Sequence, residues 1–423
     1  MAHLLVIESW VGSMSRLLPR AVAEGGHRFS FLTRDLAHYL RHPPGEGPHP
    51  LLAAENILGA ETNDLRALLP RVEQLHGALG FDGVVSSCDY YLPAVAAVAA
   101  RLGLPGPHPD AVLAACRKDL THDRLSASGV PGARHARCRD WPATAAAARE
   151  IGYPLVIKPV DLCAGMYVRR IADEDQLADA HRALAAFPVN ARGQRREPAV
   201  LLEELLTGPE VSVETVTTGG RTHVVGVTGK TVAGDPAFIE TGHHFPADLD
   251  PALTAAAAGT AVAAVRALGL DQVVAHTELK LTPDGPRVIE VNPRPAGNRI
   301  TELIRRVTGI DLAAACVDVA LGREPGLAAR PTGVGGAAIA FLVPDRDGEL
   351  SHVEGAEDVR RDRSVLELEL AGPGRVVRRA TSNNEYLGHV MTAGAGGGQA
   401  GRRAARLVGR LTVGYRTTAE VPA

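Results

Sequence analysis

Short apolar runs alternate with stretches of helical periodicity along the first quarter of the chain. HLLVIES (residues 3–9) and HRFSFLTRD (27–35) read as buried strands, and the segment between them reads as a short helix ending near Gly25-Gly26. Strand, helix and strand in that order make a βαβ unit of a doubly wound parallel sheet. A helix over Asn63 to Leu79 with Gly80 at its end, the strand FDGVVSS (81–87) and the alanine-rich helix in LPAVAAVAARLGLPG (92–106), stopped by Gly103 and Pro105, continue the alternation. The loop after the first strand, Ser9 to Ser15, holds one glycine and no G-x-G-x-x-G, so no dinucleotide site is expected there. HPPGEGPHP (42–50) reads as a surface loop, and its prolines prevent its histidines from forming a helical metal-binding pair.

Beyond residue 115 the pattern changes. Lys118 opens a helix that Gly129 and Pro131 stop, and a second helix covers Pro142 to Glu150. YPLVIKP carries Lys158 on a strand, DLCAGM is a tight connection with Gly165 as its only glycine, and YVRRI returns. AVLLEELL then bears Glu203 and Glu204, Thr207-Gly208-Pro209 is a turn, and EVSVETVTT alternates from Glu210 onward. HVVGVTGKTVAG holds Lys230, and AFIETGHHFPADL places Glu240, His243 and His244 on a strand running into a loop. An alanine-rich helix runs from Pro251 to Leu268, and two helices separated near Gly309 fill residues 298–322. In the last hundred residues GAAIAFLV, VLELEL and RLTVGYR read as strands, GGQAGRRAARLVGR as a helix and Gly394 to Gly398 as a loop.

The stretch from His276 to Arg299, HTELKLTPDGPRVIEVNPRPAGNR, organises the rest. Two alternating runs flank a turn cluster at Thr282-Pro283-Asp284-Gly285-Pro286, the signature of a β-hairpin. A turn centred on Asp284 sets Glu278 opposite Glu290, and period two puts Lys280 on Glu278's face and Asn292 and Arg294 on Glu290's. Like charges facing each other destabilise a hairpin. Two carboxylates and an amide oxygen make sense there if hard cations lie between them, because magnesium takes oxygen ligands and shares them with substrate phosphates. Arg294 is then placed to reach a phosphate or carboxylate. The alternative is an exposed hairpin edge with solvated charges.

Composition narrows the partners. The chain has 423 residues, enough for two or three cores, and a formal net charge of -3 gives no pull towards nucleic acid or anionic membrane. Arginines 402, 403, 406 and 410 lack interleaved aromatics and read as a solvated helix face. No apolar run reaches the length of a membrane span, and the N-terminus lacks a basic region followed by a long apolar core. The five cysteines, 88, 116, 138, 163 and 316, are scattered and form no C-x-x-C pair, which argues against zinc or a disulfide framework and fits a reducing cytoplasm. Cys163 in particular reads as a small space-filler. Lysine and arginine total 45, yet lysine occurs only at 118, 158, 230 and 280. Where lysine persists against that arginine bias, a site needing a compact ammonium is expected.

Lys118 before a helix ending in SGVP, Lys158 in PLVIKP, the segment LLEELLTGPEVSVET, and Glu278 with IEVNPR together resemble the ATP-grasp superfamily over roughly residues 1–330, and the tail is compatible with its amino-acid ligase branch. The resemblance implies an α/β fold of three parts: an N-terminal doubly wound parallel-sheet domain (1–115), a central ATP-grasp domain (116–326) with a small lid subdomain (about 130–205), and a C-terminal α+β domain (327–423). It implies that Lys118 and Lys158 hold the nucleotide phosphates under the loop at Gly165, with Lys230 nearby. Glu203, Glu204 and the backbone at Leu205 would read the adenine, and Glu210 the ribose. Glu278, Glu290 and Asn292 would bind two magnesium ions, for which manganese could substitute, with Lys280 and Arg294 acting at the transferred phosphoryl group. The phosphate loop departs from the family's several glycines and serines.

GVTGKTV…FIETGHH resembles amino-acid and dipeptide ligases, in which Glu240 and His243 would recognise the amino group of the acyl donor, with Asn298 and Arg294 beside the substrate. Core histidines and a surface glutamate account for the same residues. The implied activity is ATP-dependent amide formation between two amino acids through an acyl phosphate, releasing ADP and phosphate. A biotin-carboxylase-like enzyme and a non-catalytic nucleotide-binding module are the alternatives. Small-molecule substrates, no nucleic acid, no membrane, a cytoplasmic location and, by analogy, a homodimer through the first domain complete the expectations.

Overall fold

The structure, a computed structural model, describes residues 1–9, 12–41, 48–233 and 235–416. Most of the proline-rich stretch expected as a loop (42–47), and Trp10 and Val11 of the first loop, lie outside the described residues.

The chain opens with β1 (His3–Ile7), α1 (Met14–Glu24), β2 (Arg28–Thr33), α2 (Leu36–Arg41), β3 (Asn56–Gly59), α3 (Leu65–Leu79), β4 (Gly83–Val85) and α4 (Leu92–Leu102). The strands form a parallel sheet in the order β3-β2-β1-β4. Every residue of β1 is buried, as expected of an inner strand covered on both faces. Leu5 and Ile7 meet α3 and α4, and Leu4 and Val6 meet α1. One face is finished from far along the chain, by Ala313 and Val317 of a helix at Leu312–Ala320. That helix lies so close that a Cβ on Gly83 would be 2.4 Å from the Ala320 carbonyl oxygen.

Two helices, α5 (Pro109–Cys116) and α6 (Lys118–Ala127), lead into a small antiparallel sheet. Its strands are β5 (His135–Cys138), β6 (Leu155–Pro159), β7 (Arg169–Ile171) and β8 (Val200–Glu204), ordered β5-β8-β6-β7, with α7 (Trp141–Ile151) and α8 (Glu174–Ala185) packed on it. The sequence reading assigned nothing to α8. Its signals were present: Asp173 caps the Gln176 N–H, acidic residues fill the first turn, and Leu177 and Leu184 recur two turns apart on the buried face.

The main sheet begins with β9 (Glu210–Thr218), β10 (Arg221–Ala233) and β11 (Ile239–Phe245), continues after α9 (Pro251–Ala267) with β12 (Val273–Thr282) and β13 (Gly285–Asn292), and is followed by α10 (Ile300–Thr308) and α11 (Leu312–Ala320). Alanines 257, 261 and 264 let α9 lie close on one face, against Val211, Val213 and Ala275, while Ile300, Leu303 and Ile304 of α10 cover the other. The last segment comprises β14 (Gly336–Leu342), β15 (Gly348–Glu354), α12 (Ala356–Arg360), β16 (Val365–Leu370), β17 (Val376–Val377), β18 (Gly388–Gly394), α13 (Gly397–Val408) and β19 (Thr412–Arg416). Three of its strands extend the main sheet, whose order is β13-β12-β9-β10-β11-β14-β18-β16; β17-β15-β19 forms a separate small sheet. The loop expected over Gly394 to Gly398 shrinks to two residues, because Gly394 ends β18 and Gly397 opens α13. GHVMTAG escaped the sequence reading because β18 lies inside the sheet, where four consecutive residues are buried and no alternation survives.

Candidate active site

The hairpin has Glu278 directly opposite Glu290 and His276 opposite Asn292. The turn itself is not centred on Asp284. Thr282 pairs with Gly285 across a two-residue turn, a register that would set Glu278 against Ile289. The register shifts beyond Leu279, with Ile289 as the extra residue of a β-bulge, and that single insertion brings Glu290 opposite Glu278.

Each carboxylate of the pair meets its own cations. Glu278 Oε2 lies 3.0 Å from Lys230 Nζ and Oε1 lies 3.0 Å from His276 Nε2. Glu290 Oε1 lies 3.1 Å from Lys118 Nζ, which also donates to the Leu162 carbonyl at 2.6 Å. Burial alone would raise the Glu278 pKa; Lys230 and His276 outweigh it and hold the carboxyl well below the usual range. Behind Glu278, His276 Nδ1 bonds Glu214 Oε1 at 2.8 Å, and the fully buried Glu214 accepts from Ser212 (2.7 Å) and Thr228 (2.8 Å). These partners fix the imidazole, whose pKa burial would lower and the two carboxylates lift to about 9. Glu214 and His276 were missed as site residues, although Glu214 sits in the quoted EVSVET and His276 begins the hairpin.

A cleft of ≈ 490 Å³ opens in front of the hairpin. It is lined by Glu278, Lys280, Glu290 and Asn292 of the hairpin and by Lys118, Lys158 and Gly165. Glu203, Glu204, Leu205, Arg294 and Asn298 line it too, as do Glu210 and Glu240, whose carboxylates lie within 4.8 Å of each other and of Glu278. Fourteen of the sixteen residues singled out from the sequence therefore share one cavity wall; Lys230 and His243 do not. Lys230 is sunk beneath the wall, its ammonium 3.0 Å from Glu210, 2.8 Å from Glu240 and 3.0 Å from Glu278. His243 lies behind Glu240, with Nε2 3.1 Å from that carboxylate and its ring edge-on to Phe341. Neither lines the cleft; both instead contact carboxylates that do.

Three further expectations change in detail. The Glu203 carboxylate is committed to Lys158 (2.5 Å) and His122 (2.6 Å), so a ligand along β8 meets the chain at Leu205, just past the strand's last residue. Glu204 is held by Arg134 (2.9 Å) and Arg287 (3.0 Å). Lys280 Nζ sits 3.1 Å from Glu210, anchoring that carboxylate. Burial would raise the Glu203 pKa, but Lys158 and then His122 pull it down to about 2. A depressed carboxyl stabilises the fold above its unfolded pKa, and that contribution is lost as pH falls through the folded value. Glu203→Gln is expected to cost on the order of 3 kcal/mol at neutral pH and to flatten the acid limb of a urea-unfolding series between about pH 4.5 and 2. An unchanged acid limb would contradict the pairing.

Arg294 Nε donates to Asp89 Oδ1 at 2.6 Å, and both line the cleft. Asp89 follows β4, and Gly12, Met14 and Ser87 reach the cleft from the same end of the first sheet. Here β1 and β4 are neighbours and the strand order reverses, the usual ligand crevice of such sheets, which is the signal that could have found Asp89. Asn383, Asn384 and Tyr386 also line the cleft from the C-terminal segment, and no sequence signal pointed to them. Cys163 lies in the wall with its thiol pushed up to about 12, first by burial, in keeping with a space-filler.

The ATP-grasp domain family matches residues 151–302, and the ATP-grasp N-terminal domain family matches 35–106. Residues 151–302 carry an ATP-grasp domain. The chain also matches the L-amino acid ligase C-terminal domain 2 over residues 340–416. It is 30% identical to human carnosine synthase 1 over 319 residues, 69% of this chain and 37% of that protein. It is 27% identical to the alanine–anticapsin ligase of Bacillus subtilis over 265 residues, 59% and 55% of the two chains. The chain thus spans between about a third and just over half of these relatives. The crystal structure of an L-amino acid ligase from Bacillus licheniformis shares the fold, with a TM-score of 0.80 at 24% identity over 99% of both chains. No described helix of the chain is long and apolar enough to cross a membrane.

Proposed function

We propose that this chain is an ATP-dependent carboxylate–amine ligase that forms an amide bond between two amino acids and releases ADP and phosphate. The observation that carries the reading is the opposed Glu278–Glu290 pair with Asn292, sharing one cleft with Lys118, Lys158, Arg294 and Glu240. An all-oxygen donor set of two carboxylates and an amide suits magnesium, and the ammonium groups now against both carboxylates mark where positive charge is wanted. Bound there, two magnesium ions would offset the charge of the triphosphate, and manganese should substitute. The match of the C-terminal segment to an L-amino acid ligase domain favours this reading over a carboxylase.

The chain's own groups supply the rest. Lys118 and Lys158 bind phosphate oxygens, Leu205 and Glu210 the nucleoside. Glu240 and Asn298 hold the donor's ammonium, and Arg294 spans the donor carboxylate and the γ-phosphoryl group. The donor oxygen attacks the γ-phosphorus, the bond to the bridging oxygen breaks and ADP departs. The amine of the acceptor then attacks the acyl carbon, phosphate leaves and the nitrogen gives up a proton. A closed loop over residues 162–167 keeps water from the acyl phosphate.

The test is a screen of amino-acid pairs with magnesium-ATP, read by nucleotide analysis and mass spectrometry. ADP, phosphate and a condensed product are expected. AMP with pyrophosphate, or bicarbonate-dependent turnover stimulated by biotin, would overturn the proposal.

A further inference from the structure

Residues 381–386 lie between β17 and β18, and Asn383, Asn384 and Tyr386 among them line the cleft. Glu385 Oε2 accepts from the Thr381 N–H (3.1 Å), the Ser382 N–H (2.8 Å) and the Ser382 hydroxyl (3.0 Å), which makes the segment a self-capped turn. Within it Asn383 joins two otherwise distant parts. Its backbone N–H donates to the Ala164 carbonyl at 3.0 Å, inside the loop that faces the phosphate-binding lysines. Its side-chain Oδ1 accepts the Glu240 N–H at 2.9 Å, at the start of β11. Because that partner is a donor, the amide can only present its oxygen there. The amide nitrogen is turned to the loop, where a Cβ on Gly165 would lie 3.6 Å away.

The neighbours reinforce the joint. Tyr386 donates its hydroxyl to the Glu240 carbonyl at 2.7 Å and stacks on Phe341, ring centres 4.2 Å apart. Both main-chain polar groups of Glu240 are thus held by the turn, while its carboxylate faces Lys230, His243 and Asn298. On the loop's side Ala164, Gly165 and Tyr167 all have positive φ, at 56°, 67° and 59°. Two non-glycine residues in the left-handed region persist only where surroundings hold them, so the loop's conformation depends on contacts such as this one. Parallel ties between the lid and the main sheet run from Arg170 N to the Pro236 carbonyl (2.9 Å) and from Arg169 to the Thr381 carbonyl (3.2 Å).

Resting on the function proposed above, we infer that Asn383 is a positioning residue that couples the two substrates: ordering of the 162–167 loop by the nucleotide's phosphates fixes Glu240, and with it the donor-amine subsite. The coupling runs both ways, since an effect of nucleotide on Glu240 requires an equal effect of the donor on nucleotide affinity.

The experiment is hydrogen–deuterium exchange on the full chain, with and without magnesium and a non-hydrolysable ATP analogue and with no amino acid present. In the native protein the analogue should protect peptides over 162–167 and also slow exchange over 239–241 by about fivefold or more. In Asn383→Leu, which keeps the bulk and the backbone tie to Ala164 but has no acceptor, protection should stay confined to 162–167. Asn383→Asp, which keeps an acceptor oxygen, should restore it at 239–241. Merely lost packing would not separate the two variants. If the analogue protects 162–167 but leaves 239–241 unchanged in the native protein, or if Asn383→Leu transmits as well as the native chain, the inference is wrong while the ligase reading stands. If the analogue protects neither, the nucleotide reading fails and the inference with it.

Discussion

Glu290→Gln should lower ADP release by about a thousandfold while leaving the melting temperature close to that of the unaltered protein. The two halves of the expectation have separate causes. Lys118 donates to Glu290 at 3.1 Å, and the glutamine oxygen can accept that bond, so the fold loses little. What disappears is one of two opposed negative charges. A neutral amide opposite Glu278 still offers an oxygen but no longer the charge that holds a hard cation against a polyphosphate. Steady-state ADP release, followed over a magnesium titration, checks it. Turnover at the native rate would remove the metal assignment, and with it the main support for the ligase reading.

Lys230→Met should be the most destabilising single change at the site, costing roughly 3–5 kcal/mol. The Lys230 ammonium is fully buried and shared among Glu210, Glu240 and Glu278 at 2.8 to 3.0 Å. Burial would lower its pKa; the three carboxylates, Glu240 first, raise it well above the usual lysine value, so it is a permanent cation. A methionine fills the same volume, and what remains is three acidic groups within 4.8 Å of one another with one fewer positive charge between them. Glu210 keeps Lys280, Glu240 keeps His243 and Glu278 keeps His276, so the wall should weaken without collapsing. A double-mutant cycle sharpens the claim. Adding Glu240→Gln to Lys230→Met should cost less than the two changes made separately, because the second removes a charge the first has orphaned. Urea unfolding at neutral pH gives the four stabilities, and additivity would show that Lys230 does not serve these carboxylates jointly.

The site was largely legible in the sequence because it is dense in residues that are otherwise rare in this chain. Four lysines survive in a chain that otherwise uses arginine, and all four lie within 3.1 Å of a carboxylate around one cleft. Glu278 and Glu290 were legible as an opposed pair only by centring the turn on Asp284. Their actual register was not, since the turn is one residue tighter than its composition suggested and the bulge at Ile289 makes up the difference. Alternation reports which face a residue occupies, but an inserted residue shifts that face without any local signal.

By itself, then, the sequence determined the βαβ opening, the lysine and carboxylate set, and the hairpin that presents them. Only the tertiary structure decided which of those side chains face the cleft and which stand behind it. Lys230 and His243 looked like site residues from lysine's scarcity and from the ligase resemblance, yet β10 and β11 are inner strands, and a charged group turned away from the cleft there must bury itself against carboxylates. The same holds for Asp89 at the end of the first sheet and Asn383 in the C-terminal turn, which meet the hairpin's neighbours across some two hundred and a hundred and forty residues of chain. Asp89's place at the switch point could have been read from topology, but a lone asparagine such as Asn383 has no pattern to announce it, and its partner is set by packing rather than by spacing.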